Sequence, residues 1–132
     1  MRTIKFRVWD GKYMDYDVWV NSCGAFGDSE KKYNTPNIEI SSYHNKSIIM
    51  QFTGLHDKNG REIYEGDIVS YKRNVGNWTG KSLTTIHEII FTEEINAFVM
   101  KDNSGYIKLR KHLGYEYEVI GNIYENAELL NQ

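Results

Sequence analysis

Scarcity narrows the possibilities for this chain before any motif does. Its 132 residues include one cysteine and one proline. Cys23, being alone, forms no intramolecular bridge and excludes both a disulfide framework and a cysteine-built zinc site. No apolar run approaches the length at which a helix crosses a bilayer. The opening segment RTIKFRVW alternates polar and apolar residues instead of supplying the apolar stretch of an export signal. These features lead to the expectation of a reducing, cytoplasmic setting and no membrane. An excess of one charge is lacking too. Sixteen Lys and Arg against 18 Asp and Glu leave a formal net charge of -2, so no whole-molecule field draws the protein to nucleic acid or to an anionic surface.

Catalytic signatures are also missing. There is no G-x-S-x-G elbow, Walker-type loop or dinucleotide fingerprint. Gly24-Ala25-Phe26-Gly27 is like a phosphate loop only superficially, because the lysine and the following helical pattern are absent. The four histidines, His44, His56, His87 and His112, show no i, i+4 spacing, so nothing points to metal ligands on one helical face. No metal and no cofactor are expected. His56 and Asp57, with Glu62, Glu65 and Asp67, crowd two turns, where acidic side chains bond nearby backbone and stay hydrated. A turn tip offers little burial to perturb a pKa. Acid-base chemistry would need a pocket that brings His56 or His87 close to a carboxylate, and the chain is read as not an enzyme.

What the chain has in quantity is aromatic, alternating sequence. Ten Tyr, five Phe and three Trp favour strands. The length suits one domain over residues 1–132, with a hairpin and long loop over 1–46 and a barrel and final helix over 47–132. Ile4, Phe6 and Val8 share one face, and Met14, Tyr16, Val18 and Val20 share another. Asp10-Gly11 marks the turn between them. A three-residue loop pairing Trp9 with Tyr13 sets Val8 on Met14 and Phe6 on Tyr16, whereas a two-residue turn would set Phe6 against Asp15. The three-residue loop is therefore predicted. Residues 21–37 lose the alternation and read as one long loop, followed by short strands at 38–41 and 47–53.

Asn59-Gly60 predicts a type I′ hairpin turn, with positive φ at both residues. Glu65-Gly66-Asp67 predicts a second turn, leading into the strand DIVSYKR. LTTIHEIIF and INAFVMK read as a central antiparallel pair. DNSG then turns the chain into YIKLR, and YEYEVIGNIY supplies a last strand in which Gly121 marks a bulge or a close backbone approach. Only ENAELLNQ reads as helical, capped by Asn126, with Leu129 and Leu130 docked on the sheet. The fold class is mainly β: a small, partly open antiparallel barrel of SH3-like pattern, with an N-terminal β-hairpin extension and a short C-terminal helix.

Two blocks, MQFTGLHDKNGREIYEGDIV (50–69) and YEVIGNIYENAELL (117–130), resemble the signature blocks of the YopX family of phage and prophage proteins. IKFRVWD (4–10) is similar to the start of that family. Ala127 stands where the family pattern has proline. The resemblance implies a phage or prophage product in the cytoplasm of a bacterial host, with a largely β fold that assembles into a homo-oligomer. It carries over no catalytic residue.

Two surfaces stand out as candidate sites. Trp9, Tyr13 and Trp19 lie on the side of the N-terminal hairpin opposite Ile4, Phe6 and Val8. A hairpin cannot hide both of its faces by itself, so these aromatics are a candidate subunit interface, with packing inside the chain as the alternative. Lys72, Arg73, Lys81, Tyr106, Lys108, Arg110 and Lys111, near Tyr71 and Trp78, form a candidate strip for single-stranded nucleic acid, combining backbone-tracking cations with stacking aromatics. Glu93, Glu94, Glu116 and Glu118 balance it. The leading expectation is an oligomeric accessory protein that binds a host or phage protein; nucleic-acid binding is the alternative.

Overall fold

The computed structural model describes residues 2–16, 18–20, 26–28, 47–75, 80–110 and 116–131. The fold is mainly β, with two antiparallel sheets, one of them a curled half-barrel. The chain divides into two compact units, Met1–Phe52 and Thr53–Gln132.

In the first unit, β1 (Phe6–Trp9) pairs with β2 (Met14–Asp15) on one side and with β5 (Ile48–His56) on the other. A separate ribbon joins β3 (Val18–Val20) to β4 (Phe26–Asp28). Three expectations change here. The hairpin register sets Trp9 opposite Met14 and Val8 opposite Asp15, one residue beyond the predicted pairing of Trp9 with Tyr13. The turn is organised by Asp10, whose Oδ1 accepts hydrogen bonds from the N–H groups of Lys12 (2.8 Å) and Tyr13 (2.7 Å), while Gly11 takes φ 100°. The face argument failed because β1 is buried on both sides: Val8 is 0% exposed and Arg7, pointing the other way, 1%. The predicted second strand is also divided, with β2 and β3 serving different sheets. Within the predicted long loop, Phe26–Asp28 is a strand. The strand predicted at 38–41 lies outside the described residues.

β5 continues into the second unit, where it is neighbour to β6 (Glu62–Tyr64). The predicted type I′ turn between them is instead a three-residue loop. Gly60 N–H donates to Asp57 O (3.0 Å), and only Gly60, at φ 82°, is left-handed, whereas Asn59 is not. This is the turn-plus-bulge geometry of longer hairpin loops. Asp57 selects it, since its Oδ1 accepts from Asn59 N–H and Arg61 N–H, both at 2.9 Å. Asp57 is also not a hydrated tip as the sequence suggested. It is 6% exposed, and its Oδ2 accepts from Val119 N–H at 2.9 Å. Asp67, 1% exposed, is likewise buried, taking Tyr64 N–H at 2.8 Å.

The rest of this unit is a five-stranded antiparallel sheet in the order β10-β9-β8-β7-β11. Its strands are β7 (Asp67–Asn74), β8 (Ser82–Thr92), β9 (Ala97–Asp102), β10 (Gly105–Lys108) and β11 (Tyr117–Asn122). The predicted central pair is therefore β8 and β9, and the predicted turns at Glu65-Gly66 and at DNSG join the strands as expected. Val69, Tyr71, Ile89, Met100, Tyr117 and Val119 share the face that packs on Ile63 to make the core. Each buried aliphatic side chain there contributes roughly 1.5–3 kcal/mol. β8 is staggered between its neighbours. It pairs with β7 from Ser82 to Glu88 and with β9 only from Glu88 to Thr92.

β11 slips register between Val119 and Gly121, so Gly121 is both a bulge and a close approach. A Cβ built there would stand 2.5 Å from Asn126 Oδ1 and 2.8 Å from Asn126 Cβ. The terminal helix is a 3-10 helix, Ala127–Asn131. Asn126 looks backward from it, its Oδ1 accepting from Asn122 N–H at 3.2 Å. Leu129 and Leu130 are half-buried and the helix lies against β8.

Asp57→Ala leaves Asn59, Arg61 and Val119 N–H groups without an acceptor and is expected to lower the unfolding free energy by about 3 kcal/mol. Urea titration checks this, and a loss below about 1 kcal/mol would refute the tie. Gly121→Ala is expected to cost about 1–3 kcal/mol through overpacking. The double variant Gly121→Ala, Asn126→Gly should recover part of that loss, and a strictly additive pair would show that the crowding is not with Asn126.

Candidate functional site

On the core face of the five-stranded sheet, alternation along β8 brings Thr85 and His87 to the same side. Thr85 Oγ1 and His87 Nε2 are 2.7 Å apart. His87 Nδ1 lies 3.6 Å from Asp102 Oδ2 and has no hydrogen-bond partner among the described residues. The ring is 1% exposed and meets Tyr71 edge-on at 6.4 Å. Tyr71 in turn lies 5.3 Å from Tyr117, whose hydroxyl accepts from Arg110 N–H at 3.2 Å. Burial pushes the Tyr117 phenol up.

The sequence requirement for catalysis, a histidine near a carboxylate beside a pocket, is thus met in outline. Thr85 and Asp102 both line a cavity of about 600 Å³. The detailed geometry is less favourable to a nucleophile relay. Such a relay needs the carboxylate bonded to Nδ1 to fix the tautomer, and 3.6 Å is beyond hydrogen-bond reach. Among the described residues no cluster of three metal-ligating side chains occurs.

The cavity itself is a feature that the sequence reading missed. Thr84, Thr85, Ile86 and Glu88 of β8 line it, together with Lys101–Ser104 at the end of β9 and Leu130 of the 3-10 helix. Successive strand residues point to opposite faces, so a cavity touched by three in a row lies beside the strand, in the plane of the sheet. A second cavity, about 380 Å³, lies between Lys58, Lys72, Asn74, Thr84, Glu116 and Glu118. Lys58 Nζ is 3.1 Å from Glu118 Oε2 there.

The predicted basic strip is spread along the sheet. Lys72 is opposite Thr84 of β8, and Arg73 opposite Leu83. Lys81 is exposed just before that strand. Lys108 is opposite Val99, which is opposite Ile90 of β8. From Thr84 to Ile90 is about 20 Å at ~3.4 Å per residue. Tyr106, 41% exposed, and Lys108 share a face of β10, and Arg110 is exposed beyond it. Lys111 and Trp78 lie outside the described residues.

The predicted interface aromatics occupy three elements. Trp9 is half-buried on β1, Tyr13 is 63% exposed in the turn, and Trp19 is half-buried on β3. Trp9 stands in a cross-strand row with Met14 and Ile48, so these three side chains share a face. Tyr16, 52% exposed, receives a hydrogen bond from Arg7 Nη1 at 3.4 Å. The Trp19 indole N–H is buried without an acceptor among the described residues.

Burial holds the His87 imidazole below its ordinary value of 6.5; Asp102 opposes the shift and Arg73 adds to it. The unfolded chain therefore takes up a proton that the folded chain refuses. Stability is full above that ordinary value and falls as the pH drops through it. Between about pH 7 and about pH 5, His87 is expected to contribute a slope of at most ~1.4 kcal/mol per pH unit. Urea midpoints of His87→Gln should lack this component, and an unchanged slope would refute it. Asp102→Asn should lower the imidazole titration further, as read by NMR.

Comparison with known proteins places this geometry in a family. Residues 5–131 match the family described as YopX protein. No curated protein matches. The chain is similar in fold to the crystal structure of protein EF1440 from Enterococcus faecalis, with a TM-score of 0.61 and 26% identity, covering 98% of this chain and 99% of that one. It is also similar to the crystal structure of protein yopX from Bacillus subtilis, with a TM-score of 0.62 and 22% identity over 98% and 97% of the two chains. With the profile spanning nearly its whole length, this chain belongs to the YopX protein family.

Proposed function

We propose that the protein is a non-catalytic phage or prophage accessory protein, acting in the cytoplasm of a bacterial host, that self-associates and binds another protein. The observation that carries this reading is the apolar row Met14, Trp9 and Ile48 on the first unit. Ile48 is 41% exposed, and Tyr13, in the turn that follows β1, is 63% exposed. Apolar surface of this kind marks association sites when it is contiguous. Aromatic side chains in such a row supply large contact area at low entropic cost, which suits an interface core. The occupant is a second copy of the chain, since the same row on two copies is self-complementary under twofold symmetry.

Association through apolar area withstands salt, whereas contacts to phosphate weaken steeply with it. Light scattering on a gel-filtration column, at low and moderate salt and with and without a single-stranded oligonucleotide, separates the two. A salt-resistant oligomer is expected, unaffected by the oligonucleotide and shifted to monomer by Ile48→Asp. A monomer that moves only with the oligonucleotide at low salt would overturn this reading in favour of nucleic-acid binding through Lys72, Arg73, Lys81, Lys108 and Arg110.

A further inference from the structure

The five-stranded sheet has one strand position that is left unfilled among the described residues. β8 continues past the end of its ladder with β9: that pairing stops at Glu88, while pairing with β7 runs on to Ser82. β9 then turns away at Asp102, where Ser104 N–H donates to Asp102 Oδ1 at 2.7 Å, and β10 returns along the far side of β9. Residues 82–87 are thus paired on one side only among the described residues, leaving about 20 Å of open edge at ~3.4 Å per residue. The cavity of about 600 Å³ opens beside this stretch. Its volume falls within the ~300–1,000 Å³ of clefts that hold ligands.

Open edges carry unpaired backbone N–H and C=O groups, and folded proteins usually blunt them with charge, proline, a bulge or a covering loop. The opposite edge of this sheet is covered. Lys58 N–H donates to Tyr117 O at 2.9 Å, and Val119 N–H is taken by the Asp57 carboxylate. The β8 edge, Ser82-Leu83-Thr84-Thr85-Ile86-His87, has neither lysine nor proline. An unblunted edge beside a preformed slot fits one ligand chemistry best, an extended polypeptide backbone, because its donors and acceptors recur at the same period.

We propose that residues 82–87 of β8 take an extended segment of a partner protein as an added strand, seated along β8 in the cavity that Leu130 helps to line. The proposal rests on the reading that the protein works by binding another protein, and it names the place and the mode. Main-chain hydrogen bonds to β8 hold the segment. On one face an apolar side chain of the segment meets Ile86 and Leu130. On the other, a small polar side chain meets Thr85 and the carboxylate of Asp102.

A display library of short random peptides, selected on the full-length protein, supplies the probe. Selected peptides are expected to protect alternate amides within residues 82–87 from hydrogen exchange. Methylating a main-chain nitrogen of the peptide, or introducing Leu130→Arg outside the sheet, should each weaken binding about tenfold, the loss of one or two hydrogen bonds or of one wall contact. Far-ultraviolet circular dichroism and an unchanged urea midpoint establish that the variant is folded. Peptides that bind but protect amides elsewhere would overturn the β8 edge while leaving protein binding standing. Failure to enrich any peptide would overturn the edge too, and the oligomer measurement would then bear on self-association alone.

Discussion

The Asp57 carboxylate is the constraint on which the second unit turns. Its two oxygens accept three backbone N–H groups, from Asn59 and Arg61 in its own loop and from Val119 across a gap of 62 residues in sequence. Charge-assisted bonds of this kind are about twice as strong as neutral ones, and a buried carboxylate requires them. One residue therefore sets the loop geometry and pins the loop against β11. That contact fixes where the edge of the sheet lies, and through the register of β11 and β7 it sets the rows on which Tyr71, Val69 and the rest of the core align.

From this fixed edge the stagger of the sheet follows in order. β7 and β11 share most of their length, β8 is displaced along β7, and β9 is displaced again along β8. Such progressive stagger accompanies the curling of a sheet toward closure. It also explains why polar groups gather at one end of the core. Thr85 and His87 sit where the ladder with β9 has ended, beside Asp102 at the last position of β9 and beyond the continuous apolar rows. The short contact between Thr85 Oγ1 and His87 Nε2 satisfies one ring nitrogen. The other faces a carboxylate that is 35% exposed at the cavity.

Much of the fold was legible because β-branched and aromatic runs are separated by Gly, Asn and Asp turns, which identify strands whatever their partners. The central pair, the turn at Gly66 and the bulge at Gly121 all follow from such local signals. Register at the N-terminus was not legible. Alternation carries information only when one face is wet, and β1 buries Arg7 on one face and Val8 on the other. The Asn59-Gly60 signal named a hairpin correctly but not its loop, because the deciding residue, Asp57, acts through a docking contact with a strand far along the chain. The aromatic residues Trp9, Tyr13 and Trp19 could be picked out by composition, yet their division among three elements depends on where the strand after the turn breaks. The open slot left almost no trace, since stagger belongs to pairs of strands and not to residues. The one available sign was a β-rich segment, 82–87, lacking lysine and proline.

The β11 edge and the 82–87 stretch of β8 show how the same backbone can be closed or, among the described residues, left unpaired on one side. Closing the β11 edge requires a buried charge, a costly choice when a lysine or proline at the rim would discourage pairing. A chain that seals one edge this firmly and, among the described residues, leaves 82–87 paired on one side only has two different demands on its strands. The sealed edge gives a stable register; the proposed one would keep donors and acceptors for an incoming strand. The self-association proposed for the first unit would be of another kind, through an apolar row whose affinity comes from area and shape and changes little with salt. Main-chain pairing is directional and tolerant of side-chain sequence, whereas apolar contact depends on shape. Self-association through the row and capture of a segment through the slot would therefore draw on separate physical terms and could operate together in one protein.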